Sequence, residues 1–192
     1  MSFLSISKLN ECGFKYVGKN VLISDKCSLY GCSNISIGDN VRIDDFCILS
    51  AGKGFIEIGS HIHIAAYTSL FGSGGIRMGD FSGLSSYVSV YSGSDDYRGD
   101  FLIGPIIDED LINVIKKTVT LEKYTIVGSH SVILPGGNLL EGSALGANSL
   151  TSKTIPEWKI YSGSPAKELK DRKKGLLDKA KIMLKRRSES NI

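Results

Sequence analysis

A six-residue repeat is the feature that most constrains the fold of this chain. From Leu121 the sequence divides into the hexads LEKYTI, VGSHSV, ILPGGN, LLEGSA and LGANSL, each with an aliphatic first residue and a compact fifth one. The same phase appears upstream in pairs of hexads that start at Val17, Ile37, Ile58 and Met78. An amphipathic helix would repeat its apolar residues every 3.6 positions and a plain hairpin sheet every 2, so neither explains the pattern.

The hexads are gathered into longer units. These start at positions 17, 37, 58, 78, 121 and 139, so the steps are 20, 21, 20, 43 and 18 residues. Units of this length predict a solenoid with three short strands per turn and one aliphatic residue of each strand pointing inward. No single turn can bury its aliphatic side chains alone, so stacking of turns supplies the core. We therefore predict an all-β solenoid, a parallel β-helix of about six coils, over residues 17–153.

The remaining segments follow from the repeat. Residues 1–16 form a lead-in, and the 43-residue step predicts a loop of about residues 94–118 inserted into one turn. Long insertions in a compact fold are usually functional. Residues 154–192 form a C-terminal extension, in which Ala166 to about Arg187 reads as a basic α-helix. Its apolar positions are Leu169, Leu177, Met183 and Leu184.

Charge and hydropathy suggest the compartment. Residues 165–192 contain ten Lys or Arg and four Asp or Glu, a net charge of +6, whereas the whole chain is +3 and residues 1–164 are therefore −3. The N-terminus lacks a basic start followed by a long apolar core, as a signal peptide would have. No apolar run approaches the roughly 18 residues that span a membrane. We expect a cytoplasmic protein.

The four cysteines, Cys12, Cys27, Cys32 and Cys47, lie in the first quarter of the chain. They form no CxxC pair and have no histidine near them in sequence, which argues against a zinc site. We interpret them as reduced core residues. Cys27 and Cys47 hold equivalent hexad positions one turn apart and are expected to stack.

The hexads, together with "VGSHSVILPGG", "LGANSLTSK" and "YSGSPAKELKDR", resemble the hexapeptide-repeat acyltransferases, which include sugar, galactoside and surface-polysaccharide acetyltransferases. The resemblance covers residues 17–172. It implies a left-handed coil, against the usual crossover preference, and a homotrimer. It also implies acetyl-CoA as co-substrate, bound in the cleft between two subunits, with no metal needed.

The resemblance places the CoA site on six residues. Those expected to line it are Ser129, Ala147, Ser152 and Lys153. Lys167 and Lys170 match positions where relatives place basic residues near the CoA phosphates, a role that suits fixed cations. The alternative for these three lysines is a solvated surface.

The insertion begins with "SGSDDY", which resembles a "TGSHDY"-like motif whose histidine is the general base in related enzymes. Here Asp95 takes the place of that histidine. An unperturbed aspartate, with a pKa of about 3.9, is a weak base at pH 7, so Asp95 favours an amine acceptor slightly. Asp96 and Tyr97 are candidate acceptor-binding residues. The alternatives are an ordinary turn for the two aspartates and simple packing for Tyr97.

Three histidines complete the candidate site. His130, in "VGSHSV" beside the expected thioester path, is an alternative base. His61 and His63 are two positions apart, so on one strand they would face the same side and could line the acceptor cleft. The alternative for both is an ordinary surface position.

The sequence thus predicts direct acetyl transfer from acetyl-CoA to a hydroxyl or amino group of a sugar or nucleotide sugar, as in surface-polysaccharide synthesis. No cysteine lies near the expected site to form an acyl-enzyme. Two rival interpretations are a non-catalytic scaffold and a zinc carbonic anhydrase-like protein, although the histidine spacing is wrong for the latter. We expect no nucleic-acid partner; the basic helix could make a peripheral membrane contact.

Overall fold

The computed structural model describes residues 2–189 and contains a parallel β-solenoid, which confirms the predicted fold class. In chain order the strands are β1 (Tyr16–Val17), β2 (Leu22–Ile23), β3 (Ser28–Tyr30), β4 (Ile35–Ile37), β5 (Arg42–Ile43), β6 (Ile48–Ser50), β7 (Ile56–Ile58), β8 (His63–Ile64), β9 (Ser69–Phe71), β10 (Ile76–Met78), β11 (Gly83–Leu84), β12 (Ser89–Tyr91), β13 (Gly93–Ser94), β14 (Ile115–Lys116), β15 (Val119–Leu121), β16 (Ile126–Val127), β17 (Val132–Ile133), β18 (Ala144–Leu145), β19 (Leu150–Thr151), β20 (Lys159–Ser162) and β21 (Lys167–Asp171). The helices are α1 (Ile6–Glu11) and α2 (Leu176–Glu189), with short 3₁₀ turns at Cys32–Asn34 and Glu109–Leu111.

Three sheets form the faces of the rod. Face one contains β1, β4, β7, β10 and β15; face two contains β2, β5, β8, β11, β16, β18, β20 and β21; face three contains β3, β6, β9, β12, β17 and β19. Each of the first five coils contributes one strand to each face in that order, and successive coils pair in parallel, whereas β21 pairs antiparallel with β20. Isolated bridges continue face one from Leu121 to Leu139 and from there to Ile155. The rod therefore has about seven turns, one more than the sequence predicted.

The first residue of each hexad builds the core. Ile37, Ile58, Met78 and Leu121, which start hexads in successive coils, are all buried. They stack in register along face one, where Ile58 pairs with Met78 and Met78 with Leu121. Each coil buries its aliphatic residues against the coils above and below, as a one-dimensional stack requires.

The fourth residue of the hexads forms the corners. It adopts a left-handed conformation at Asn20, Asn40, Phe46, His61, Tyr67, Phe81, Tyr87, Tyr124, His130, Asn148 and Trp158. A non-glycine residue in this region is strained. Aromatic stacking offsets part of that cost: Tyr67 and Tyr87 stack with ring centroids 4.7 Å apart and an interplanar angle of 1°.

The expectation that the cysteines are core residues holds fully only for Cys47, since Cys12, Cys27 and Cys32 are partly exposed. Cys27 and Cys47 are free thiols, and each donates to a main-chain carbonyl, of Asp44 and Ala65 respectively, at 3.2 Å. Cys47 is fully buried and Cys27 is partly buried. The N-terminal lead-in places α1 over the first coil, where Leu4 and Leu9 pack against the core.

The insertion leaves the rod at one corner and returns to it in register. β13 and β14 pair antiparallel at its neck, with Ser94 opposite Ile115. Beyond the neck, Val119 pairs with Ile76 of the preceding coil as if no residues intervened. The boundaries of about 94–118 for the insertion stay a prediction.

The C-terminal extension differs from the prediction. The segment expected to begin a helix at Ala166 is instead strand β21, antiparallel to β20. Lys159 holds the two strands together through Glu168 at 2.8 Å and Asp171 at 2.7 Å. The helix begins only at Leu176, and the predicted extension reaches residues 190–192, which lie outside the described part.

Candidate active site

A pocket of about 400 Å³ opens where the insertion meets the rod. Phe71 and Tyr91, stacked with centroids 5.1 Å apart, form one wall, and the apolar side chains of Ile112 and Val114 form another. Asp95 lines this pocket and is partly exposed. A carboxylate in a mainly apolar pocket can accept a hydrogen bond from a hydroxyl or an ammonium group. The role of Asp95 as base stays a prediction.

Asp96 is a structural anchor of the insertion. Its side chain is 1% exposed, and its carboxylate accepts from the backbone N–H groups of Arg98 at 3.1 Å and Asp100 at 3.2 Å. The Arg98 N–H, helped by the Arg98 guanidinium, holds the pKa of Asp96 below its usual range. This geometry is that of an ordinary turn, and the acceptor-binding role of Asp96 stays a prediction. Tyr97 is 93% exposed.

A second pocket, of about 360 Å³, lies on face two toward its corner with face three. Ser85, Ser86 and Ser129 line it, and His130 follows at the corner itself, exposed and stacked on Tyr87 with centroids 4.6 Å apart. The next coil continues the edge, since the N–H of Asn148, beside Ala147, donates to the Ser129 carbonyl at 2.9 Å. The structure therefore brings Ser129 and Ala147 together on one edge.

The prediction that His61 and His63 share one side of a strand is wrong. His61 is a corner residue with φ of 61°, because it holds the fourth position of its hexad, whereas His63 lies on β8. His61 stacks on Phe81, and burial, with a contribution from the nearby Arg187, lowers its pKa. Both histidines nevertheless border one groove beneath α2.

His63 is held by a buried carboxylate. Its Nε2 lies 2.8 Å from Oδ2 of Asp44, whose Oδ1 accepts from Nε of Arg42 at 2.7 Å. Burial works to raise the pKa of Asp44, but the hydrogen bonds from Arg42 and His63 outweigh it and leave that pKa lowered. Asp44 fixes the ring of His63 against face two.

The three lysines predicted to bind CoA lie near the C-terminal end of the rod, after β19 and on β21. Lys153 and Ser152 are exposed just after β19, and Lys153 has no side-chain partner within residues 2–189. Lys167 and Lys170 are exposed on β21, not on a helix. Their contact with CoA phosphates stays a prediction.

The predicted acceptor residue Asp95 and the predicted CoA-site residue Ser129 lie on different edges of one chain. Asp95 follows β12 and lies at the edge between faces three and one, whereas Ser129 precedes β17 at the edge between faces two and three. One chain therefore does not bring Asp95 to Ser129.

Sequence reasoning missed several residues in these pockets. Ser85 and Ser86 belong to the hexad LSSYVS, in the coil that precedes that of Ser129. The N–H of His130 donates to the Ser86 carbonyl at 3.2 Å. The shared hexad phase was the signal for them. Arg172 carried no such signal; its guanidinium donates to the carbonyl of Tyr124 at 2.7 Å and to two further carbonyls.

Within residues 2–189, no group of three or more His, Cys, Asp or Glu side chains is arranged to hold a metal ion. None of the helices in the same range has the length and apolar character needed to cross a membrane.

Comparison with known proteins gives the class. No protein-family model matches the chain. It is 45% identical over 178 residues, 93% of each chain, to dTDP-4-amino-4,6-dideoxy-D-glucose acyltransferase of Escherichia coli. AntD, an N-acyltransferase from Bacillus cereus solved with dTDP and 3-hydroxybutyryl-CoA, superposes with a TM-score of 0.93 at 46% identity, covering 97% of this chain and 98% of AntD.

A second AntD structure, of a serine variant with dTDP-4-amino-4,6-dideoxyglucose and coenzyme A, superposes with a TM-score of 0.92, at 46% identity and covering 96% of this chain and 98% of that one. The solenoid with its single insertion and its two edge pockets is that of an acyltransferase. The chain belongs to the hexapeptide-repeat acyltransferase family. The predicted family and enzyme class are thereby confirmed.

Proposed function

We propose that the protein transfers an acyl group from acyl-CoA to the amino group of a dTDP-linked 4-amino-4,6-dideoxyhexose. The observation that carries this proposal is the 45% identity over 93% of both chains to an acyltransferase of that sugar nucleotide. The AntD complexes, which contain dTDP, the amino sugar nucleotide and CoA species, support the same donor and acceptor classes.

The chemistry of the insertion pocket supports nitrogen over oxygen. A neutral amine is already a good nucleophile, so it needs orientation and a late proton acceptor more than a strong base. The carboxylate of Asp95, partly exposed in its pocket, suits both tasks. The amine nitrogen attacks the thioester carbonyl carbon, the carbon–sulfur bond breaks, CoA leaves as the thiolate, and the amine releases one proton.

We propose a homotrimer, because one chain separates Asp95 from Ser129. A neighbouring copy would bring the insertion of one chain to the edge pocket of the next. Apolar side chains on the insertion support this assembly: Ile103 is 66% exposed and Ile106 is 92% exposed. Ile106→Glu should lower the mass measured by light scattering from three chains to one, because burying an unpaired charge is costly. A wild-type mass of one chain would contradict the trimer.

The proposed location is the cytoplasm, where acyl-CoA and nucleotide sugars are available. The peripheral membrane contact suggested for α2 stays a prediction; its exposed cations include Lys181 and Lys185.

The decisive experiment mixes the pure protein with dTDP-4-amino-4,6-dideoxyglucose and either acetyl-CoA or 3-hydroxybutyryl-CoA. Free thiol release gives the rate, and mass spectrometry detects the amide. The matched acceptor with a hydroxyl in place of the amine tests oxygen transfer. An amide product with one of the donors supports the proposal; transfer to the hydroxyl acceptor alone overturns it.

The role of Asp95 has its own test. Asp95→Asn should reduce turnover about 10²-fold or more, since general base catalysis contributes that much, and should leave acyl-CoA affinity unchanged. Asp100→Asn, in the same insertion with a carboxylate 66% exposed, is the matched control and should keep near-normal turnover. Normal turnover of Asp95→Asn would remove Asp95 from the mechanism.

Calorimetric titration with acetyl-CoA tests the donor site without an acceptor. Lys153→Glu should weaken binding, because a reversed charge repels phosphate. Lys19→Glu, an exposed lysine in the first coil, is the control and should bind normally. Equal affinity in both variants would exclude Lys153 from the CoA site.

A further inference from the structure

A column of side-chain hydrogen bonds ties each coil to the next beneath the corner between faces two and three. The fifth residue of one hexad donates to the main-chain carbonyl of the second residue in the hexad that stacks on it. These bonds run from Cys27 to Asp44 and from Cys47 to Ala65, both at 3.2 Å, from Thr68 to Ser85 at 3.0 Å, and from Ser131 to Gly146 at 2.8 Å. The column lies on the inner side of the edge that carries the pocket of Ser85, Ser86 and Ser129.

The core does not require a donor at every place in this column. Val88 occupies the fifth hexad position in the coil between those of Thr68 and Ser131, and it is fully buried. Valine has no polar group, so the Gly128 carbonyl receives no bond from this column. The strand that follows Val88 still pairs in register with both neighbouring coils. Stacking alone therefore does not account for the hydroxyl group of Thr68.

Thr68 fixes the orientation of one peptide at the edge pocket. Its hydroxyl is fully buried, so the Ser85 carbonyl that accepts from it points into the interior of the rod. In a trans peptide the C=O and the next N–H point in opposite directions. The N–H of Ser86 therefore points outward, toward the pocket that Ser85 and Ser86 line.

The Ser86 N–H is the unused main-chain group at this turn. The N–H of Ser85 donates to the Val127 carbonyl at 3.0 Å, and the Ser86 carbonyl accepts from the N–H of His130 at 3.2 Å. Within residues 2–189 the Ser86 N–H itself has no acceptor. The next residue, Tyr87, has φ of 62°, a sparsely populated conformation, so the turn benefits from a bond that keeps this peptide in one orientation.

We propose that Thr68 is a positioning residue for acyl transfer. From the interior it holds the Ser85–Ser86 peptide so that the Ser86 N–H donates to the thioester carbonyl oxygen. The inference rests on the proposed function, in which the amine attacks the carbonyl carbon and the oxygen carries negative charge until the carbon–sulfur bond breaks. A donor that is fixed before the reaction stabilises this charge without reorganising. Thr68 does not touch the substrate.

Thr68→Val and Thr68→Ser separate positioning from packing. Valine keeps the shape of threonine but removes the hydroxyl, whereas serine keeps the hydroxyl but removes the buried methyl group. Loss of a whole oxyanion donor costs about 10²–10³-fold in kcat, so releasing its peptide in Thr68→Val should lower kcat about tenfold. Both KM values should stay unchanged, as for an interaction made only in the transition state. Thr68→Ser should retain near-normal kcat.

A matched control removes the same type of bond elsewhere. Cys27→Val loses the donor to the Asp44 carbonyl, and neither of these residues lines the edge pocket. It should keep the wild-type kcat. Thr68→Ala and Thr68→Ser both lack the methyl group and differ in the hydroxyl, so Thr68→Ser should be the faster of the two. This second comparison holds even where Thr68→Val does not fold, and all variants are assayed well below their melting temperatures.

Three results would overturn the positioning role. They are a wild-type kcat in Thr68→Val, equal losses in Thr68→Val and Cys27→Val, and equal kcat values for Thr68→Ser and Thr68→Ala. If wild type forms the amide and Thr68→Val keeps its kcat, the positioning role fails and the proposed function stands. If wild type forms no amide, the proposed function fails. Thr68 is then judged by the slow hydrolysis of acetyl-CoA, because attack by water also places negative charge on the carbonyl oxygen; equal hydrolysis by wild type and Thr68→Val would overturn its role.

Discussion

Gly142 allows a quantitative test of how the corners are packed. It occupies the corner position between Tyr124 and Trp158 in successive coils and has φ of +66°. A Cβ built there would lie 2.5 Å from two atoms of the Trp158 ring and 2.6 Å from a third. The backbone N–H of Trp158 donates to the Glu141 carbonyl at 3.0 Å, which fixes its main chain. The residue is only 9% exposed, so the ring has little room to withdraw.

The expected cost of Gly142→Ala has two parts. Placing a Cβ in the left-handed region costs about 1–2 kcal/mol. Forcing a methyl group into an occupied site costs about 1–3 kcal/mol. The free energy of unfolding should therefore fall by about 2–5 kcal/mol.

Gly13→Ala separates the two parts. Gly13 has nearly the same φ, +68°, but a Cβ there meets nothing within 4 Å. It should lose only the conformational part, about 1–2 kcal/mol. Equilibrium urea unfolding at one fixed chain concentration, followed by circular dichroism, gives both values.

Removing the obstructing ring completes the test. In a Trp158→Leu background, Gly142→Ala should lose only what Gly13→Ala loses, and the double-mutant cycle measures the coupling between the two residues. Equal losses for Gly142→Ala and Gly13→Ala in the wild-type background, within about 0.5 kcal/mol, would refute the packing argument.

Two further predictions concern the rod and its insertion. Leu121→Ala, at a fully buried position, should lower the free energy of unfolding by about 2–5 kcal/mol, whereas Ile6→Ala, at a position of α1 that is 79% exposed, should change it by less than about 0.5 kcal/mol. Similar losses in urea would contradict the stacked core. Asp96→Asn should speed hydrogen exchange of the Arg98 and Asp100 amides at pH 7. In wild type the same protection should be present above about pH 4, the usual unfolded pKa, and lost as the pH falls through the lowered pKa of Asp96; unchanged exchange would contradict the anchoring role.

The regular part of the fold was predictable because one physical rule repeats. Each hexad must bury its first residue against the neighbouring coils, so the core positions of Ile58 and Met78 can be predicted from the repeat alone. The seventh turn was missed because its step is irregular: Ile155 follows Leu139 after 16 residues, not 18 to 21. Only the bridge between Leu139 and Ile155 shows that this segment belongs to the solenoid.

The C-terminal strand and the groove could not be read from local pattern. Residues 167–171 have a charged, helix-compatible composition, but Lys159 pairs them into a hairpin. Likewise, Gly83 cannot be distinguished from a turn glycine in the sequence. In the structure it lines a groove, because α2, which begins more than 90 residues later, covers the sheet beside it.

The site was predictable where motifs share the hexad phase and not elsewhere. Ser129 and Ala147 fall on one edge because equivalent hexad positions must stack. His61 and His63 were placed wrongly because the alternation rule of a strand does not hold across a left-handed corner residue.

The in-register closure of the insertion has a consequence for how such enzymes diversify. Ile76 pairs with Val119 although the insertion lies between β12 and β15, so the pairing of the coils does not depend on the length of that segment. The entropy of closing a loop rises by only about 0.6 kcal/mol for each doubling of its length. The pocket wall and the scaffold can therefore vary separately: a foreign insertion grafted between Gly93 and Lys116 would replace the Ile112 and Val114 wall of the pocket, while the host rod keeps its own fold.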